Sequence, residues 1–313
     1  MSAAGAATMV GSGSSERFEE TTMTAHRPIV VGIDDSPSSL EAVSWAARES
    51  ALRNVPLTLV TTMFVPGVAG VPMGIPDTFF EAEERDAKKR LTRAEDVAIE
   101  VADGTPIDVD TAFCTGSPVA ELLERSKTAR LVVVGANRRG LIERAIVGSV
   151  SAAVVTHAQC PVAVVRGLPH IEINRVEGPV VVGIDGTNHS EPAITMAFEE
   201  AALRQVDLVA VHAWSDVDLF APFPSDYDWS QVESNERALL SESLAGRAEE
   251  FPDVKVRPVV VMDQPARYLR ELSEHAQLLV VGSRGRGGFT SMLLGSTSRA
   301  LMHSVTCPIL VTR

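Results

Sequence analysis

The sequence predicts an α/β fold built as two tandem, doubly wound domains, each a parallel sheet between helices. Three observations carry this. Apolar, β-branched runs alternate with helix-patterned segments from residue 28 onward. The landmarks of the first half return in the second half in the same order. Apolar residues make up 45% of the 313 but aromatics only 5%, so Val, Ala, Leu and Ile must build the cores, as suits a buried parallel sheet.

The repeat is read from matched segments. Pro28-Ile-Val-Val-Gly-Ile-Asp34 matches Pro179-Val-Val-Val-Gly-Ile-Asp185, and Ala51-Leu-Arg53 matches Ala202-Leu-Arg204. Leu131-Val-Val-Val-Gly135 corresponds to Leu278-Leu-Val-Val-Gly282, and Cys160-Pro-Val-Ala-Val-Val165 to Cys307-Pro-Ile-Leu-Val-Thr312. The conserved order implies duplication. Residues 1–26, rich in Ser, Gly, Ala and Thr, are expected to be a disordered tail. The first domain then spans 27–168, a Pro/Asn/Glu/Gly-bearing linker 169–178, and the second domain 179–313.

In the first domain, strands are expected near 28–34, 56–63, 106–113, 130–135 and 161–166, with helices near 37–53, 78–102, 117–128 and 147–158. In the second, strands are expected near 179–185, 207–213, 254–261, 277–282 and 308–312, with helices near 190–205, 230–250, 264–275 and 295–304. Ser36-Pro37 and Ser117-Pro118 look like helix starts, a hydroxyl cap followed by proline at the first helical position. Alternation of strand and helix implies right-handed crossovers and a parallel sheet. Ligands of such sheets bind at the carboxyl ends of the strands.

Two loops lie at that edge. Gly282-Ser-Arg-Gly285 is followed, after nine further residues, by Gly295-Ser296 at a helix start. Converging N–H groups and the helix dipole make such a loop a phosphate cradle. Gly282 and Gly285 are expected to permit positive φ and close backbone approach. Ser298 offers a further hydroxyl, and Arg284 is either a phosphate partner or simply solvated. Asp185, ending the first strand of its domain, either accepts a ribose hydroxyl, holds a phosphate-bound metal, or caps its own turn. The first half carries an altered copy, Gly135-Ala-Asn-Arg138 leading to Gly148-Ser149.

Composition excludes several classes. Net charge is −13, from 28 Lys+Arg and 41 Asp+Glu, which argues against non-specific nucleic-acid binding. Arg284 and Arg286 form a local cationic spot that better fits a small anion. The cysteines Cys114, Cys160 and Cys307 form no CxxC pair, the histidines show no metal-ligand spacing, and no metal residue is assigned. No apolar run approaches a membrane span. The N-terminus lacks the pattern of a signal peptide, so a cytoplasmic location is expected. Met23 is a candidate translation start. Trp214–Trp229 and Phe64–Phe80, both beside the ligand edge, are either lids, partner surfaces or covers of the sheet end.

These motifs resemble the universal stress protein family, in its tandem mycobacterial form. Residues 282–296 match the family signature of Gly-x-x-Gly, nine residues, then Gly-Ser/Thr, and the resemblance covers roughly 27–313. It implies a Rossmann-like, adenine-nucleotide-binding domain with a five-stranded parallel sheet, present twice and paired through the last strand of each copy. It further implies ATP, with Mg, as ligand. By position, the second site would use Gly183, Ile184, Asp185, Ala213, Val281, Gly282, Arg284, Gly285, Gly295, Ser296, Thr297 and Ser298. The first would use Gly32, Ile33, Asp34, Thr62, Val134, Gly135, Asn137, Arg138, Gly148, Ser149, Val150 and Ser151. Arg138 stands where the signature has glycine, so the first site is expected to be the weaker.

The resemblance implies a nucleotide-dependent regulator of stress or dormancy responses. No P-loop lysine or kinase-type Asp is present, and no catalytic residue is assigned. Slow ATP hydrolysis, or a nucleotide-independent scaffold or chaperone, are the alternatives. The expected assembly is an internal pseudo-dimer, with a homodimer also open and the protein partner unspecified.

Overall fold

The computed structural model describes residues 27–63, 77–136, 148–166, 178–214, 229–286 and 293–313. The tail and most of the linker and of both aromatic loops lie outside them, as do Asn137 and Arg138. The first domain runs β1 (Ile29–Gly32), α1 (Pro37–Arg53), β2 (Leu57–Met63), α2 (Asp77–Val101), β3 (Val109–Thr115), α3 (Pro118–Arg125), β4 (Leu131–Ala136), α4 (Ser149–His157) and β5 (Val162–Arg166). The second runs β6 (Val180–Ile184), α5 (Glu191–Arg204), β7 (Leu208–Ala213), α6 (Trp229–Glu250), β8 (Val256–Val261), α7 (Pro265–Leu272), β9 (Leu278–Gly282), α8 (Ser296–Ser304) and β10 (Ile309–Thr312).

The strands form one ten-stranded sheet in the order β3-β2-β1-β4-β5-β10-β9-β6-β7-β8. Within each domain every pairing is parallel. The domains join where β5 and β10 pair antiparallel, Leu310 opposite Ala163. This is the expected pairing of last strands, and it removes what would be an open edge on each half.

Successive strand residues face opposite sides, so each apolar run serves two cores. Ile29, Val31, Val180 and Val182 pack under α1, α2, α5 and α6. Val30, Val132, Val181 and Leu279 face α3, α4, α7 and α8. Cys160 and Cys307 are small members of the second core; burial pushes their thiols up to about 11 and about 12. Proline stands in the first turn of α1 and α3, as expected. The hydroxyl caps do not form: Ser36 and Ser117 make no side-chain cap bond. The Ser36 hydroxyl is instead turned to Asp34 Oδ1. At the other end, α1 and α5 stop in left-handed Asn54 and Gln205, whose N–H groups close the last turn.

The carboxyl-terminal ends of α1 and α5 meet across the domain junction. There Glu49, Arg53, Glu200 and Arg204 form a buried quartet, with Arg53 on Glu200 and Arg204 on both Glu49 and Glu200. Arg53 lies a further 3.4 Å from Glu49, and Arg130 lies 3.7 Å from Glu199 beside it. Burial, then the neighbouring Glu200, pushes the Glu49 carboxyl up from 4.5 to about 7, against the pull of Arg204 and Arg53. A carboxyl raised in the folded state binds its proton more tightly there. Its contribution to stability is full at low pH and is lost as pH climbs from 4.5 through about 7. Thermal melts should therefore show the wild type losing stability relative to Glu49→Gln across that window. Parallel curves for the two proteins would refute the assignment.

Candidate nucleotide site

The second-domain site begins at the end of β6. Asp185 Oδ1 accepts three hydrogen bonds, from Thr187 N and Thr187 Oγ1 at 2.8 Å and from Ser190 Oγ at 2.7 Å. Ser190 Oγ in turn accepts from Asp185 N at 3.0 Å. Asp185 thus caps its own turn with one oxygen. The other, Oδ2, is buried with no partner among the described residues. A buried carboxylate oxygen without a donor is costly, so its environment is the strongest mark in the site.

Gly285 lies against that oxygen: a Cβ there would sit 3.0 Å from Asp185 Oδ2. A Cβ on Gly282 would sit 3.2 Å from the carbonyls of His189 and Arg284. Neither glycine has positive φ, so half of the sequence argument for them is corrected. They are required by close approach alone. Positive φ falls instead on Gly186, at +75°, directly after Asp185. Gly183 and Gly32 serve packing, since a Cβ would meet Leu269 Cδ1 at 2.8 Å and Leu122 Cδ1 at 2.9 Å respectively.

The loop returns to α8 where Gly295 N donates to the Ser283 carbonyl at 2.7 Å. Gly295 is the N-cap, in extended geometry, and Ser296, Thr297 and Ser298 form the first turn. First-turn N–H groups have no partner within a helix and carry its positive dipole end. The Ser298 hydroxyl points back to donate to the Gly282 carbonyl at 2.6 Å. Ser151 does the same to Gly135 at 2.8 Å. These hydroxyls fasten helix to strand end, which leaves the first-turn N–H groups as the donors at that edge. Val281 is buried, Ala213 half-buried at the end of β7, and Arg284 exposed.

The first-domain site differs. Asp34 is exposed, and its Oδ1 accepts from Ser36 N at 3.0 Å. Asp35 replaces Gly186 and pairs with Arg90 of α2 at 2.7 Å. Arg90 also donates to Thr61 at 2.9 Å, and Thr61 to the Ile33 carbonyl at 3.0 Å. A Cβ on Gly135 would fall 2.5 Å from the Ser38 carbonyl, so glycine there admits α1 to the strand end. Val134 is buried, Thr62 half-buried, and Gly148 caps α4 ahead of Ser149 and Val150.

Two residues of the second site, His212 and Glu236, were not foreseen, and a third, Arg286, was read only as part of a cationic spot. His212, wholly buried in β7, has Nδ1 2.8 Å from the Ile184 carbonyl and Nε2 2.7 Å from Glu236 of α6. Arg286 reaches the same spot, 3.1 Å from His212 Nε2 and 3.3 Å from Glu236. The one signal in the sequence is a histidine inside the apolar run Leu208-Val-Ala-Val-His212. Among the described residues no cluster of three or more His, Cys, Asp or Glu gathers as a metal site, and no helix is long and apolar enough to cross a membrane.

Comparison with known proteins agrees with this fold. The model of the universal stress protein family matches residues 25–166 and again 178–313. A universal stress protein of Mycobacterium tuberculosis is 42% identical over 286 residues, covering 91% of this chain and 96% of that one. One from Mycolicibacterium smegmatis is 42% identical over 287 residues, with the same coverage of 91% and 96%. Among solved structures, a universal stress protein from Archaeoglobus fulgidus shares the fold, with a TM-score of 0.70 at 18% identity over 91% of this chain and 98% of that chain.

Proposed function

Because the chain belongs to the universal stress protein family, with two copies of its domain, we propose that it binds ATP at the carboxyl edge of β6 and acts as a nucleotide-dependent regulator. The observation that carries this reading is the buried Oδ2 of Asp185, which has no partner among the described residues, lies against Gly285 and shares the edge with the α8 N-terminus. An acceptor of that kind suits a ribose hydroxyl, which brings its own donor. The N–H groups of Ser296, Thr297 and Ser298 suit phosphate oxygens, with Gly282, Gly285 and Gly295 keeping side chains out of the way. Ala213, small and half-buried at the next strand end, leaves room for a base. Mg would arrive with the phosphates, neutralising their charge.

The same groups argue for binding without turnover. The carboxylate at the edge is engaged through Oδ1 in its own turn, and Glu236, the acid across the crevice, is engaged by His212 and Arg286. The first domain is the weaker site in this reading. Its aspartate is exposed, a second carboxylate follows it, and arginine stands at 138 in place of Gly285. The purified protein should release ATP when denatured, as identified by chromatography. ADP alone would favour a hydrolase, and no nucleotide would favour a scaffold.

A further inference from the structure

We infer that Arg286 is a latch across the second-domain site, which a nucleotide must lift before it can bind. This rests on the nucleotide-binding reading of that site and adds its regulation. In the sheet, β6 lies between β9 and β7. Arg286 leaves the β9 loop, passes over the end of β6, and docks on His212 of β7 and Glu236 of α6. Its path is fixed at both strand ends. Gly285 lies on Asp185 Oδ2, and Arg286 Nη2 lies 3.2 Å from the point a Cβ on Gly186 would occupy. The guanidinium therefore covers the crevice where a doubly wound sheet takes its ligand.

The docking point has two arrangements. The Ile184 carbonyl can only accept, so His212 Nδ1 carries a hydrogen. At Nε2 the two neighbours make opposite demands. A hydrogen there donates to Glu236 and leaves Arg286 facing a second donor. A bare nitrogen accepts from Arg286 and turns its lone pair toward the carboxylate. Arg286 is thus held by Glu236 in both and by His212 in one, a contact that releases without unfolding the strand ends. In the first domain Arg90 of α2 pairs with Asp35, the residue at the position of Gly186.

The test uses the full chain. Arg286→Gln and Glu236→Gln are titrated with ATP, with Asp185→Ala as the control that reports the site itself. A latched fraction of nine-tenths lowers apparent affinity about tenfold, so releasing it should tighten ATP binding by up to about tenfold. Amide exchange at 284–286 in the nucleotide-free protein should rise in both variants. Tighter binding with faster exchange supports the latch. Unchanged or weaker binding in Arg286→Gln, while Asp185→Ala weakens binding about tenfold or more, overturns the latch and leaves the site standing. Absence of ATP binding in the wild type overturns both.

Discussion

Asp185→Asn is expected to lose ATP binding in the second domain while keeping the fold. The asparagine oxygen can take the place of Oδ1 and keep the three bonds from Thr187 and Ser190. Its amide then puts a donor where the partnerless Oδ2 now lies. A ribose hydroxyl would lose its charged acceptor. Hydrogen bonds to charged groups contribute about 1.5–3 kcal/mol, so affinity should fall about tenfold to 150-fold. Asp185→Ala should lose as much affinity and also stability, because the turn into α5 loses its acceptor. Calorimetric titration and denaturant melts of both variants separate the two roles. Binding by Asp185→Asn at wild-type strength would show that Oδ2 meets no ligand.

Arg204→Ala is expected to produce the largest loss of stability, about 3–5 kcal/mol, since it strips a partner from a buried ionic cluster. Both Glu49 and Glu200 are essentially inaccessible to water, and Arg204 pairs with both. Without it the two carboxylates face each other with Arg53 alone between them. Replacing all four members with apolar residues of similar volume should be close to neutral or stabilising, because the desolvation penalty vanishes with the charges. Denaturant midpoints of the single and quadruple variants test this. A quadruple variant as unstable as Arg204→Ala would mean that the quartet contributes more than it costs to bury.

The fold was legible because its signals are local. Continuous apolar runs such as Ile29-Val-Val31 and Leu278-Leu-Val-Val281 allow little but buried strands, and the family resemblance implied that β10 pairs with the last strand of the other copy. β3 was the least well placed, expected at 106–113 and found at Val109–Thr115. It is an edge strand with mixed exposure, so its apolar pattern is weak. Asp34 and Asp185 were located at the strand ends from sequence, as were the helix starts at Ser149 and Ser296. What stayed hidden depends on residues far apart in the chain. Glu49 meets Arg204 from 155 positions away, and His212 meets Arg286 from 74. The side chain of Ser36 was misjudged for a related reason: a hydroxyl has several acceptors within reach, and tertiary position decides among them.

The most direct measurement is an ATP titration of the wild type beside Gly295→Ala and Gly148→Ala. A Cβ at Gly295 meets no atom nearer than 3.5 Å and one at Gly148 none nearer than 3.8 Å, so both variants should fold. The added methyl would then be felt by a phosphate rather than by the protein. A principal ATP site in the second domain predicts that Gly295→Ala removes most of the binding and Gly148→Ala little. Equal losses from both, or no saturable binding in the wild type, would contradict it.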